Sequence, residues 1–289
     1  MVIPGGGCMN ILLLGATGYL GGNIVYQLSN EHNIICIVRN SSNISKLNNI
    51  NVNIVSNELD KIELAMKTWH IDCIINSICT YDKNNTLYED MFVSNIIFPL
   101  EILNLAIKYD VENYITMGTS LPNKFNMYSF TKHKFSSFGK YCCENNKLNF
   151  VDLQLEMFYG GLFEPQNRFL NACKIKMQKN EDIQLTQGLQ KRDIIRVEEV
   201  VNIINKLIIS DYIKGYMVLP VGSGENHSIR DIVIYMKNEM QSSSNLIFGA
   251  VPDRKGEPDT LADIRWYNDI GFKLQYSFYD GLRTGYLFS

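Results

Sequence analysis

A chain of 289 residues, 46% of them hydrophobic and with a formal net charge of -3, is long enough for one large or two modest domains with a well-formed core. Charges of both signs are spread along it, with no basic block for nucleic acid and no long acidic tail, and its longest apolar runs are interrupted too early to suggest a bilayer span. Its seven cysteines form no CxxC pair, and Cys142 and Cys143 are adjacent, which points to free thiols in a reducing cytosol rather than to a disulfide or metal site.

Residues 1–8 are too short for a secretory signal and read as a leader before a second possible start at Met9. The apolar run 10–14 predicts a first strand. Gly15-Ala16-Thr17-Gly18-Tyr19-Leu20-Gly21 follows it, and residues 23–28 have helical spacing. Strand, glycine turn and helix is the order of a dinucleotide-binding βαβ unit. Gly15 allows a sharp turn, Gly18 lets backbone N–H groups approach a pyrophosphate at the positive helix end, and Gly21 lets the helix pack on the strand. Glycines also gather in plain turns, so the context has to carry this reading. Residues 33–40 predict a second strand ending in Arg39. A carboxylate there would bond both ribose hydroxyls of NAD. Arg39, helped by Ser41 or Ser42, instead suits a 2′-phosphate, which predicts NADPH over NAD; the plainer alternative is a solvated strand-end arginine.

Residues 51–55 predict a third strand, 62–69 a helix, and 72–77 a fourth strand whose end, at Ser77, faces the cofactor. Residues 87–108 predict a long helix bent at Pro99, and 114–120 a fifth strand entering a small-residue turn with Thr119 at its end. This alternation predicts an α/β fold, a Rossmann-type doubly wound parallel sheet. From Tyr128 to about Tyr141 the spacing is again helical, and Tyr128 and Lys132, four apart, share one face. Taken singly, Tyr128 is half-buried packing, Lys132 a solvated helix face and Thr119 a cap. Together, one loop after a fifth strand of a glycine-turn domain, they make a joint context much rarer than any single part.

Gly15-x-x-Gly18-x-x-Gly21, Thr119 and Tyr128-x-x-x-Lys132, in that order, resemble the extended short-chain dehydrogenase/reductase family. Residues 153–160 are similar to the strand that leads into that family's substrate lobe. Residues 185–197, with Arg192-Asp193, resemble its Arg-Asp-Phe stretch. Arg254-Lys255-Gly256-Glu257-Pro258, then Ala262-Asp263-Ile264 and Gly271-Phe272, resemble its C-terminal nucleotide-sugar segment. The resemblance runs from about residue 9 to the end. Within the family, residues 118–122 and 156–160 with Leu185-Thr186 look most like the 4-reductases of nucleotide-linked 4-keto-6-deoxyhexoses, the group of the CDP-abequose and CDP-paratose synthases.

The resemblance implies NADPH-dependent reduction of a C4 ketone on a 4-keto-6-deoxy or 3,6-dideoxy hexose, making a deoxysugar donor for O-antigen-type surface polysaccharide. The sugar's carrier is CDP, with dTDP or GDP as the other choices. Thr119, Tyr128 and Lys132 are the catalytic residues; Gly15, Thr17, Gly18, Tyr19, Leu20, Gly21, Arg39, Ser77 and Lys132 hold the cofactor. Thr119, Arg168, Arg192 and Arg254 meet the substrate, the arginine forks as pyrophosphate clamps, with ordinary surface arginines as the alternative. Lys132 is expected to lower the Tyr128 pKa from its usual value of about 10. The implied layout is an NADP-binding domain over 9–160, with 194–216 crossing back to it, and a smaller nucleotide-sugar lobe over 161–289. Helices near 87–108 and 129–142 imply a homodimer by analogy with the family, and the free thiols a cytoplasmic setting. Two departures stand out: Met157 replaces a common Asn, and Gly161 replaces a common Pro and is expected to loosen its turn. A 4-epimerase retaining NAD and a non-catalytic NADPH sensor are the rival readings. A dehydratase fits less well, because Ser120-Leu121 stands where those relatives carry Asp-Glu.

Overall fold

The computed structural model describes residues 7–81, 86–254 and 256–288; most of the expected leader, residues 1–6, and Lys255 lie outside them. β1 (Asn10–Leu14), β2 (Asn33–Val38), β3 (Asn53–Ser56), β4 (Cys73–Asn76), β5 (Asn113–Met117) and β6 (Asn149–Leu155) are joined by β10 (Tyr216–Val221) in one sheet. The order is β3-β2-β1-β4-β5-β6-β10 and every pairing is parallel. Helices cover both faces, so the inner strands read as continuous apolar runs rather than alternating ones. α1 (Tyr19–Leu28) and α7 (Val197–Ile208) pack on the face of Ile11, Leu13, Val151 and Leu153. α2 (Leu59–Trp69), α4 (Phe98–Lys108) and α5 (Met127–Asn145) pack on the face of Leu12, Leu14, Ile74, Tyr114 and Phe150. Strand order reverses between β1 and β4. The crevice at their carboxyl ends is therefore where a ligand of such a sheet sits.

The stretch before α4 departs from a simple bent helix. α3 (Tyr88–Phe92), a π-turn over Val93–Ile97 and α4 run on as a single helix, Tyr88–Lys108. Pro99 has no N–H to give the fourth carbonyl back, and the Phe98 N–H bonds the Val93 carbonyl five back. The helix has 21 residues and is apolar enough to cross a membrane by length and composition, which corrects the reading that every apolar run is too interrupted. Met91, Ile96, Ile102, Leu103 and Ala106 bury one face of it against the rest of the fold.

Residues 153–160 are two strands rather than one. β6 ends at Leu155, and the Glu156 N–H makes the last sheet bond, to the Val221 carbonyl at 2.9 Å. The chain then enters β7 (Met157–Tyr159), which pairs with β9 (Lys191–Arg196) in a second sheet completed by β11 (Asn226–Ser228). β8 (Ile183–Leu185) pairs with β12 (Leu246–Phe248). With α6 (Phe169–Gln178), α8 (Ile229–Glu239) and α9 (Phe278–Gly281), these strands surround a separate core that includes Tyr159, Leu170, Met177, Ile232, Val233 and Leu282. Ser228 caps α8, its hydroxyl accepting the Asp231 N–H at 3.0 Å.

Gly161 does not loosen its turn. Its φ is +74°, which proline cannot adopt, and a Cβ there would stand 2.3 Å from Asn23 Oδ1. The turn is packed onto α1.

Candidate active site

The glycine turn leaves β1 with Gly15 at φ +82°, and a Cβ on Gly21 would lie 2.1 Å from the Gly15 carbonyl oxygen. Gly18 begins α1 with no side-chain cap, so the first-turn N–H groups are oriented for an anion beyond the helix end. That arrangement fits the pyrophosphate of a dinucleotide. Several side chains expected at the cofactor have structural partners instead. The Ser77 hydroxyl donates to the Leu14 carbonyl at 2.7 Å, tying the ends of β1 and β4. Tyr19 Oη donates to the Gly160 carbonyl at 2.7 Å and its ring lies 5.1 Å from that of Phe158. Leu20 is buried in the core, and the Thr17 carbonyl accepts from Lys46 Nζ at 3.3 Å. Lys46 also sits 5.3 Å above the Phe163 ring, so a cation flanks the turn that the sequence reading missed. Arg39 is exposed just past β2, where its fork is accessible, and its carbonyl accepts the Ser42 N–H at 2.8 Å.

Asn126 and Ser129 form a capping box that fixes the first turn of α5, with Asn126 Oδ1 accepting the Ser129 N–H at 2.8 Å. This sets Tyr128 and Lys132 on the buried face. The Thr119 hydroxyl and the Cys79 thiol lie beside the Tyr128 hydroxyl, and Tyr81 lies 4.8 Å away, ring to ring. Burial pushes the Tyr128 pKa well up, with the Cys79 and Tyr81 charges acting the same way and the Thr119 hydrogen bond opposing. Lys132 is not among the largest of those influences. Its ammonium donates to the Ile78 carbonyl at 3.2 Å, and burial pushes its own pKa down. The expected lowering of Tyr128 by Lys132 therefore gives way to burial, which keeps the phenol protonated.

Asn95, in the π-turn, ties this region together. Its amide accepts the Thr80 N–H at 2.8 Å and donates to the Thr80 carbonyl at 2.9 Å and to Thr131 Oγ1 at 3.1 Å. Thr131 in turn donates to the Tyr128 carbonyl at 2.8 Å. The only sequence signal for Asn95 is its place four residues before Pro99.

The three arginines separate. Arg192 is buried, ion-paired with Glu257 at 2.6 Å and hydrogen-bonded to the Pro258 carbonyl. Arg254 is exposed on the same C-terminal segment as Glu257. Arg168 stands just before α6 and packs its guanidinium 5.0 Å from the Phe158 ring and 5.5 Å from the Tyr19 ring, within reach of Tyr81. It thus reaches the aromatic wall beside Tyr128. Between Arg192 and Thr119 lies Glu156, whose Oε2 accepts the Ser120 hydroxyl at 2.9 Å. Burial leads in pushing its carboxyl up to about 7; the nearby Thr260 hydroxyl, the Ser120 hydrogen bond and the Arg192 charge oppose, and Asp193 adds to the rise. A carboxylate between Leu155 and Met157 in an apolar run was a visible sign of this site. Among the described residues, no group of three or more His, Cys, Asp or Glu side chains could hold a metal ion.

The family model for NAD dependent epimerase/dehydratase proteins matches residues 11–212. The chain is 27% identical over 288 residues to CDP-abequose synthase of Salmonella typhimurium, covering 94% of this chain and 95% of that one. It is 24% identical over 282 residues to CDP-abequose synthase of Salmonella muenchen, with the same coverage. UDP-glucose 4-epimerase of Thermotoga maritima, solved with UDP-glucose, superposes with a TM-score of 0.84 at 18% identity, covering 95% of this chain and 96% of that one. dTDP-glucose 4,6-dehydratase of Bacillus anthracis, solved with NAD, superposes with a TM-score of 0.80 at 16% identity, covering 96% and 94%. With its Rossmann-type sheet, its glycine turn and a matched region spanning more than half its length, the chain belongs to the NAD dependent epimerase/dehydratase family.

Proposed function

We propose that this protein reduces the C4 ketone of a nucleotide-linked 4-keto-6-deoxyhexose, or its 3-deoxy analogue, with NADPH. The observation that carries the reading is the placing of Thr119 by the Tyr128 hydroxyl, with buried Lys132 on the same helix face, across β4 from the glycine turn. The reduced nicotinamide, when bound, supplies the hydride. Thr119 donates a hydrogen bond to the carbonyl oxygen and orients it. Tyr128, held protonated by burial, passes its hydroxyl proton to that oxygen as it gains charge, and the Lys132 ammonium stabilises the phenolate left behind. Gly15, Thr17, Gly18, Tyr19, Leu20 and Gly21 hold the dinucleotide through the backbone of the turn, Ser77 by fixing that turn to β4, and Arg39 takes the 2′-phosphate. Arg192 and Arg254 clamp the diphosphate of the substrate, with Arg168 at the aromatic wall.

The names of the curated relatives support a CDP-linked sugar; making a deoxysugar donor for O-antigen-type polysaccharide is the role that the sequence resemblance implies. Free cysteines throughout support a cytoplasmic setting. Tyr128→Phe is expected to lower turnover by about 10²–10⁴-fold and leave NADPH binding intact. NADPH oxidation with CDP-, dTDP- and GDP-linked 4-keto-6-deoxy sugars, with NMR of the product at C4, tests the whole reading. Isomerisation of a nucleotide sugar without net NADPH consumption would replace it with the 4-epimerase reading.

A further inference from the structure

Lys132 must carry its charge where charge is disfavoured. It is 5% exposed, and its ammonium donates to a neutral group, the Ile78 carbonyl. Asp152 lies on the same side of the sheet. Asn76, Thr116 and Asp152 pair in register across β4, β5 and β6, so they form a polar row one pleat beyond the apolar row of Ile74, Tyr114 and Phe150. Asp152 is 3% exposed, and its Oδ1 has no hydrogen-bond partner among the described residues. A Cβ on Gly118 would come within 1.9 Å of that oxygen, so the carboxyl fills the space beneath the residue that precedes Thr119. A carboxyl this buried is costly unless a cation answers it.

The groups facing Asp152 are Lys132, His133 and Ser136 on α5 and Tyr216 on β10. Burial pushes the Asp152 carboxyl up, Ser136 and the Lys132 and His133 charges oppose this, and Ser136 shares a 2.8 Å hydrogen bond with Tyr216 Oη. The groups acting on Lys132 are Cys79, past the end of β4, and Asp152. Burial pushes the Cys79 thiol up, so it is neutral near physiological pH, and the acidic group that acts on Lys132 when ionised is Asp152.

We propose that Asp152 is a positioning residue, the buried counter-charge that keeps Lys132 protonated beneath the reacting centre. This rests on Tyr128 and Lys132 as the proton-delivery pair. An ionised Asp152 raises the Lys132 pKa, so removing the charge lets burial pull it lower. Activity that needs the ammonium then fails at lower pH.

The test is an NMR titration of protein labelled with ¹³C-lysine, with Lys132→Met to assign the resonance. In Asp152→Asn, Lys132 is expected to titrate about one pH unit or more below wild type, and the basic limb of kcat moves the same way. Ser136→Ala keeps the carboxyl but weakens its ionised form, and is expected to give a smaller displacement in the same direction. Lys132 titrating at the same pH in wild type and folded Asp152→Asn overturns the proposal. If Asp152→Asn does not fold, an unmoved Lys132 in Ser136→Ala overturns it. The titration needs no sugar, so its outcome is separate from that of the reductase reading, which stands or falls on NADPH oxidation.

Discussion

Glu156 shows how one buried side chain couples the site to pH. Its carboxyl is pushed up to about 7, mainly by burial. The folded protein therefore binds this proton more tightly than the unfolded chain does. The stability associated with it is complete below the unfolded carboxyl pKa of about 4.3 and is lost as pH rises through 7. Glu156→Gln removes that dependence. Thermal melts of wild type are expected to fall more steeply between pH 5 and pH 8 than melts of the variant, and parallel curves would show that Glu156 ionises as an exposed carboxyl does. Tyr128, Lys132 and Thr119 were legible because a spacing of four on a helix and a position at a strand end are local facts. Asp152 and Asn95 were not. Their importance comes from what folds over them, Gly118 and Lys132 for one and the loop of Thr80 for the other.

At the scale of elements, the continuous helix of α3, the π-turn and α4 has two faces. The inner one meets the sheet and α5. On the outer one, Leu87, Tyr88, Phe92, Val93 and Ile97 are exposed, and Phe138 and Tyr141 are exposed on neighbouring α5. An apolar patch spread over two adjacent helices is a surface suited to a second copy of the chain packing by a two-fold axis. We therefore expect a homodimer. Ile97→Asp with Phe138→Asp is expected to yield a folded monomer by light scattering; a wild-type protein that is already monomeric would end this expectation. The length of the helix was readable from the sequence. Its π-turn was only half readable, since Pro99 announces a disturbed hydrogen-bond ladder but not the way the ladder is repaired.

At the scale of the molecule, the site is assembled from a seven-stranded parallel sheet and a second group of strands and helices that β7 enters. Arg192 belongs to the second group, and Glu257 at 2.6 Å holds its guanidinium. A diphosphate taken up there has to compete with that carboxylate. Arg192→Ala is expected to weaken binding of a CDP-linked sugar by about 10–100-fold in calorimetry, as for a lost charge-assisted hydrogen bond, and to leave NADPH affinity unchanged. The Arg192→Ala, Glu257→Gln double variant controls for the carboxylate left buried. Wild-type sugar binding in both would remove Arg192 from the clamp. The chain's sequence by itself determined the sheet, the glycine turn and the Tyr128–Lys132 helix face, because apolar runs, a positive-φ glycine and helical spacing act within a few residues. Only the tertiary structure decided which polar groups meet: Glu257 on Arg192, the Ser120 hydroxyl on Glu156, and Asp152 on the side of the sheet that α5 covers. Those pairings join residues from separate strands and loops, and burial, which sets their protonation, exists only once the sheet is covered.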